Sequence, residues 1–523
     1  MWDKPKKLEI FSKKVYITTT LPYANSKAHV GHALEFIQGD FLSRYFKKQG
    51  KKVFFNIGLD EHGQKIWKAA QEKDIEVSEY LDIHYNQWLE FCELYGIEYD
   101  NFYRTSDKEH HQKVQKVWKD FVNRGLIYKK KYTGQYCEGC EAFKHDKDLL
   151  NGKCPDHPHL EIQTIEEENY FFKLTEFKDK LEEDYLFLRG WWPNEEYFQK
   201  SVGKGISGRT HLSPKSKEPE LNNLVANIED ISVSRLKTAV PWGVPVPDDE
   251  EQTIYVWFDA LLNYIFSVDK SEDFCWLEYP LGYDSTNEEF FTTKYIQICG
   301  PDNLRFQGVI FQALLSALKL TYTDKILVHG TILDANGQKI SKSLGNVIDP
   351  IDQVKKFGLD AVRYYTLSLS TFGNANWDEE ALVKLYNSHL VNDYGNLIAR
   401  TLHLIDKKKI NVTEPEKDFK DKIDDYLEKA IKSIVNEKKC FSQPKYNIYE
   451  YVSKLNEVVK HGNSYINDKE PWKSDDYETT LNNLYYLLSE VTELYEPIIP
   501  FTVERVKEAL QNKQKAIIFN KIQ

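Results

Sequence analysis

Short β-branched runs that each give way to a helical stretch, grouped in two blocks with a long segment between them, constrain this chain more than any other feature. Val15-Tyr16-Ile17-Thr18-Thr19-Thr20 ends at Leu21-Pro22, and from about Ala28 the apolar spacing becomes helical. Val53-Phe54-Phe55-Asn56-Ile57-Gly58 reads as a second buried strand, with Asp60 just past its end. In the second block Tyr295-Ile296-Gln297-Ile298-Cys299-Gly300 precedes a helical stretch over 306–319, and Ile326-Leu327-Val328-His329-Gly330 follows it. Strand and helix in this alternation build a parallel sheet, because parallel neighbours need a crossover that a helix supplies. The expected fold is therefore α/β, a Rossmann-like parallel sheet split by an insertion.

The insertion, 118–235, carries the clustered cysteines and an acidic stretch. After about residue 385 the pattern is helical throughout: Ile423, Leu427, Ala430 and Ile434 share a face, as do Val452, Leu455 and Val459, and then Leu481, Leu484, Leu488 and Val491. This gives two halves of one domain at 1–117 and 236–330, a connective insertion at 118–235, a linking segment at 331–385 and an all-α helical bundle at 386–523. The chain has 523 residues, of which 41% are hydrophobic, enough for several cores and too many for a disordered chain. No apolar run reaches the roughly 18 residues that would cross a bilayer. Residues Met1–Lys14 are lysine-rich and lack an apolar core, so no secretory signal is read and a cytoplasmic location is expected. The net charge of −12 means that a nucleic-acid partner would have to be gripped by local basic patches.

The seven cysteines are too few and too unevenly placed for a disulfide framework. Cys137, Cys140, Cys154 and His157 instead form two knuckles of the spacing that closes a tetrahedron around structural Zn²⁺, with His145 and His159 as alternative ligands. His29-Val30-Gly31-His32 opens the first helix, where free N–H groups and the helix dipole favour phosphate, and Gly31 is expected to leave room for the ligand. Lys339-Ile340-Ser341-Lys342-Ser343 lies between Asp334-Ala335-Asn336-Gly337 and Gly345-Asn346, a lysine pair in a glycine-flanked loop that can fold over a triphosphate. Both motifs follow parallel strands, where an open α/β sheet has its ligand crevice.

These motifs, in this order, resemble the class I aminoacyl-tRNA synthetases, and within them the methionyl-tRNA synthetase family. Further matches are Leu21-Pro22-Tyr23-Ala24-Asn25, the segment from Gly58 through Asp60, Glu61 and His62 to Lys65, the segment from Val256 through Trp257 to Tyr264, and Asn396-Leu397-Ile398-Ala399-Arg400. The resemblance runs from about residue 15 to 475, with Ile340 where the family has methionine. It implies ATP-dependent activation of L-methionine to the adenylate and transfer to the 3′-terminal adenosine of tRNA(Met), with Mg²⁺ accompanying ATP. By resemblance His29, His32, Lys339 and Lys342 are catalytic, and His29, Gly31, His32, Gly300, Asp302 and Lys342 bind ATP. Leu21, Tyr23, Asp60, Trp257, Ala260, Tyr264 and Gln307 would hold methionine, with Asp60 on its ammonium. Asn396, Arg400 and Trp472 would read the anticodon, and the short stretch after Trp472 points to a monomer.

The chain departs from the family at Pro301, Asn303 and Gln307, where Lys, Ile and His are usual. Gln307 is expected to donate to the methionine sulfur or the Tyr23 hydroxyl, without the power to titrate. Asn303 in a pocket wall costs apolar area unless its amide is satisfied. Two other readings follow: a class I synthetase of altered amino-acid specificity, and a non-catalytic tRNA-binding paralogue.

Overall fold

The computed structural model describes residues 14–137, 142–144, 149–155, 160–186, 210–270, 293–320, 322–340, 345–435, 445–514 and 516–523. The chain opens with β1 (Lys14–Thr18), α1 (Val30–Lys48), β2 (Lys52–Leu59), α2 (Gln64–Glu72), α3 (Val77–Leu94), β3 (Asn101–Arg104) and α4 (Lys108–Asn123). Strands β4 (Ile127–Cys137), β5 (Ala142–Lys144) and β6 (Gln163–Phe172) follow, then β7 (His211–Ser213), β8 (Ile231–Ser232), β9 (Ser234–Leu236) and β10 (Gln252–Ile254). After the helix Val256–Phe266 come β11 (Thr293–Cys299), β12 (Lys325–Val328), β13 (Ile332–Leu333) and β14 (Ala375–Asn376).

The main sheet has six strands in the order β3-β2-β1-β11-β12-β7, every pair parallel. Both faces are covered, which is why Val15–Ile17 and Phe54–Leu59 are continuous buried runs. From β1 the chain steps outward to β2 and β3 on one side, whereas β11 and β12 lie on the other. The carboxyl ends of β1 and β11 therefore flank the point where an α/β sheet opens a crevice. The expected parallel α/β core is present.

Strand β7 extends the sheet beside β12, although it lies within the stretch read as the insertion. The rest of that stretch includes an antiparallel sheet, β5-β4-β6-β8, in which Lys131 of β4 lies opposite Glu168 of β6. Similarly, the residue 385/386 boundary falls inside continuous helical backbone running from Glu379 through Tyr386–Gly395 to Lys408. The C-terminal helices Lys417–Ile434, Ile448–Lys469 and Tyr477–Tyr495 bury the faces the sequence marked, Ile423, Val452 and Leu481 among them. Among the described residues no helix is long and apolar enough to cross a membrane.

One side chain joins these parts. Arg363, in the helix Leu359–Ser368, is fully buried and its Nη2 lies 2.6 Å from Asp40 Oδ2 on α1. Its other donors reach the carbonyls of Tyr95 at 2.9 Å, Pro497 at 3.1 Å and Ile498 at 3.0 Å. Burial pulls the guanidinium pKa down, and Asp40 opposes that pull. Removing one partner of such a pair leaves buried charge and orphaned carbonyls. Arg363→Ala is therefore expected to destabilise the protein by about 3–5 kcal/mol, read as a lower urea midpoint, and an unchanged midpoint would refute the role.

Candidate active site

The crevice is built from the ends of β1, β2, β11 and β12 and the start of α1. His29 caps α1: its Nδ1 accepts from the Gly31 N–H at 3.1 Å, and its own N–H donates to His32 Nδ1 at 3.2 Å. The two imidazoles stack with centroids 3.8 Å apart, and Trp88 of α3 meets His32 edge-on at 5.0 Å. Gly31 also makes room within its own motif. A β-carbon there would lie 2.9 Å from the His29 ring, so the missing side chain accommodates that ring and lets the imidazole pair close.

The described residues that flank the lysine loop lie on the same edge of the sheet. The Val30 N–H at the tip of α1 donates to the Ile348 carbonyl at 3.3 Å. On the other flank Lys339 Nζ lies 3.4 Å from Asp302, which follows Gly300 at the end of β11. The loop base is tied by Asp334, which accepts from the N–H groups of Asn336 and Gln338 and from the Asn346 amide, each at 2.9 Å. These bonds hold the Asp334 carboxyl below its usual pKa. Lys342, Ser341 and Ser343 lie outside the described residues.

Beneath the crevice Glu35 of α1 accepts from the Thr20 hydroxyl at 2.6 Å and lies 3.0 Å from His329 Nε2, while His329 Nδ1 is 2.7 Å from the Gly330 carbonyl. Burial lowers the His329 pKa, but the Glu35 carboxylate outweighs it and the net shift is upward. Gly330 itself admits no side chain, because a β-carbon would meet the Gly373 carbonyl oxygen at 1.9 Å. Neither Glu35 nor His329 was singled out from sequence; the signal was a carboxylate three residues past His32 and a histidine at a strand end.

The residues expected around the amino acid converge. Leu21, Tyr23 and Trp257 pack against buried Ala260 in one apolar cluster. Asp60 is stitched to the loop after β1 by its N–H to the Pro22 carbonyl at 2.9 Å and its carbonyl to the Ala24 N–H at 2.8 Å. Trp257 stacks on Phe306 at 3.8 Å. Gln307 is buried, but its amide donates to the Tyr264 hydroxyl at 2.8 Å, not to Tyr23 as expected from sequence. Its carbonyl accepts from Gln297, which also accepts from Thr323 at 2.7 Å and Gln312 at 3.2 Å. This neutral chain locks Gln307 from behind, and burial raises the Tyr264 pKa, keeping the phenol protonated. Asn303, the other departure, is half-exposed, so its amide has access to water.

In the bundle, Arg400 lies over the Trp472 ring at 5.6 Å and donates to Asn467 Oδ1 at 2.7 Å. Asn396 is exposed one helical turn away, and Trp472 is 41% exposed. Asn467 was missed because it lies far from Arg400 in the chain. In the connective lobe Cys137 ends β4 and Cys154 follows the tight turn closed between Leu150 and Lys153; both are buried. Cys140, His157, His145 and His159 lie outside the described residues.

A parallel-sheet crevice with an imidazole pair capping its first helix and the flanks of a lysine loop on the same edge defines a class I aminoacyl-tRNA synthetase. The sequence matches the family described as tRNA synthetases class I (M) over residues 15–402. It is 34% identical to the methionine–tRNA ligase of Clostridium acetobutylicum over 95% of this chain and 73% of that one, and 32% identical to that of Streptomyces coelicolor over 95% and 90%. Mycobacterium tuberculosis methionyl-tRNA synthetase in complex with methionyl-adenylate shares the fold with a TM-score of 0.78 and 25% identity, covering 98% of this chain and 97% of that one. The chain belongs to the methionyl-tRNA synthetase family.

Proposed function

We propose that this chain activates L-methionine with ATP and transfers it to tRNA(Met), with the residue roles that follow. In activation a methionine carboxylate oxygen attacks the α-phosphorus, the bond to the β-phosphate breaks and pyrophosphate leaves. In transfer a ribose hydroxyl of the terminal adenosine attacks the activated carbonyl and AMP leaves. No protein nucleophile is required, so catalysis rests on positioning and on charge stabilisation. The observation that carries the reading is the shared edge: the start of α1 touches Ile348 just beyond the lysine loop, and Lys339 reaches Asp302.

His29 and His32, half-buried at a helix N-terminus, direct N–H donors toward the phosphates. Lys339 and Lys342 neutralise the leaving pyrophosphate. Gly31, Gly300 and Asp302 contribute to binding ATP. Mg²⁺ bound with ATP supplies further neutralisation of the phosphates. Asp60 holds the ammonium, and Leu21, Tyr23, Trp257, Ala260, Tyr264 and Gln307 enclose the side chain; aromatic edges suit a thioether. Asn396, Arg400 and Trp472 read the anticodon by hydrogen bonding and stacking. Cys137 and Cys154, with Cys140 and His157, hold a structural Zn²⁺, a donor set suited to a closed tetrahedral site. The burial of both described thiols, Cys137 at the end of β4 and Cys154 just after the Leu150–Lys153 turn, supports that assignment.

Pyrophosphate exchange with a panel of amino acids tests the activity: methionine alone is expected to support it. Preference for another amino acid would favour the altered-specificity reading, and no exchange at all the non-catalytic one. Lys342→Ala should slow single-turnover adenylate formation by about 10²-fold, or roughly 2.7 kcal/mol of transition-state stabilisation, with methionine affinity little changed. An unchanged rate would exclude its role. Arg400→Ala is expected to leave exchange within about twofold of wild type while raising the KM for tRNA about tenfold or more; equal loss in both assays would remove the anticodon assignment. Elemental analysis of the purified protein should find one zinc per chain, lost in Cys154→Ser, and a metal-free wild type would overturn the zinc proposal.

A further inference from the structure

The methionine pocket has two halves on different elements. Asp60 follows β2, whereas Trp257, Ala260 and Tyr264 ride on the helix Val256–Phe266. For one ligand to satisfy an ammonium site and an apolar pocket at once, the spacing between the halves must be fixed to a fraction of an ångström. Packing alone leaves Tyr23 and Trp257 only partly buried, so something else must set it.

His62, two residues after Asp60, is 1% exposed and its Nδ1 is hydrogen-bonded to Oδ2 of the fully buried Asp259. Asp259 sits on the helix Val256–Phe266, between Trp257 and Ala260. The His62 backbone N–H in turn donates to Asp60 Oδ1 at 3.4 Å. Between them, Glu61 is held separately: Arg104 binds its carboxylate at 2.9 Å, and its N–H donates to Thr105 Oγ1 at 2.9 Å. The loop thus grips β3 through one residue and the pocket helix through the next.

We infer that His62 and Asp259 are a positioning pair for methionine, whose side-chain hydrogen bond sets the distance between the Asp60 carboxylate and the side-chain pocket. The inference rests on the assignment of Asp60 to the methionine ammonium. Two further imidazoles flank the pair, and His62 meets one of them directly. Its Nε2 faces His111 Nε2 at 3.0 Å, and burial, then the charge of His62, pushes the His111 pKa down to about 4, so His111 stays neutral. His110, whose Nε2 lies 3.8 Å from the same Asp259 oxygen, is also held down by burial. A carboxylate can only accept, so the bond to Asp259 requires a proton on His62 Nδ1. Burial raises the Asp259 pKa, but the imidazoles more than offset it, and the net shift keeps the carboxylate charged.

Two substitutions separate positioning from mere filling. Asparagine sets its amide nitrogen near the place of Nδ1 and can keep the bond to Asp259; glutamine sets its amide near Nε2 and loses it. In methionine-dependent pyrophosphate exchange, His62→Gln is expected to raise the KM for methionine about tenfold or more while the KM for ATP moves less than about twofold; His62→Asn should stay within about threefold of wild type for both. Asp259→Leu, which keeps the volume but has no acceptor for His62, should reproduce the selective rise and serves if His62→Gln does not fold. Equal effects of the two His62 substitutions, or parallel rises in both KM values, would overturn the pair's role while wild-type exchange leaves the methionine activity standing. Absence of exchange in the wild type would instead sink both.

Discussion

The buried contact between Arg363 and Asp40 fixes the frame in which everything else works. A buried ion pair is a weak source of net stability, because desolvating both charges offsets much of their attraction. Its effect here is geometric. The guanidinium meets a carboxylate on α1, a carbonyl at the end of α3 and two carbonyls entering the last bundle helix, and only one relative placement of the three segments satisfies all of them. Asp40 is further held by Arg44 at 2.9 Å and by the Glu98 N–H at 2.8 Å. At the end of α1, Lys48 adds a contact to Glu496 at 2.8 Å, half-exposed and worth little alone. The helix that carries His29 and His32 is therefore clamped at its middle to the domain that carries Arg400 and Trp472.

How much of this was legible in the sequence follows from the range of each interaction. The strands β1, β2, β11 and β12 announced themselves because both faces of a parallel sheet are buried, which leaves uninterrupted apolar runs. The bundle faces were legible for the same local reason, a 3.6-residue period. Strand β7 was not: its three residues carry no pattern of their own and acquire strand geometry only by pairing with β12. The segment from Glu379 to Lys408 reads as separate pieces because a wide helical turn over Tyr386–Gly395 shifts the apolar phase without breaking the backbone path.

Site residues divide in the same way. His29 and His32 could be picked out from their spacing at a helix start, and Leu21 and Tyr23 from the motif that carries the family resemblance. Those whose meaning depends on a distant partner could not. Gln307 was expected to donate to the methionine sulfur or to Tyr23, and the structure has its amide donating to Tyr264 while Gln297 pins its other end. Arg363 looked like any arginine in a helix. Gly31 was read as space for a ligand; the room it leaves for the ring of its own motif was not legible.

Of the three departures from the usual family pattern, the two expected to border the pocket bear on it in opposite ways. Asn303 is half-exposed at a turn where its N–H bonds to the Gly300 carbonyl, so it places no unsatisfied amide against apolar walls. Gln307 is buried, where a lone amide would cost several kilocalories per mole, and Tyr264 and Gln297 remove that cost. A neutral hydrogen-bonded chain therefore supports the pocket from behind, and it ends on the same helix that receives His62 through Asp259. Asp259 and Tyr264 lie on that helix with Ala260 between them, one facing the Asp60 loop and the other the Gln307 chain. The helix Val256–Phe266 is thus the common reference for both halves of the pocket. Loss of a titratable group at Gln307 leaves this arrangement intact, because what the position must provide is a fixed donor to Tyr264, and an amide held from both ends provides it.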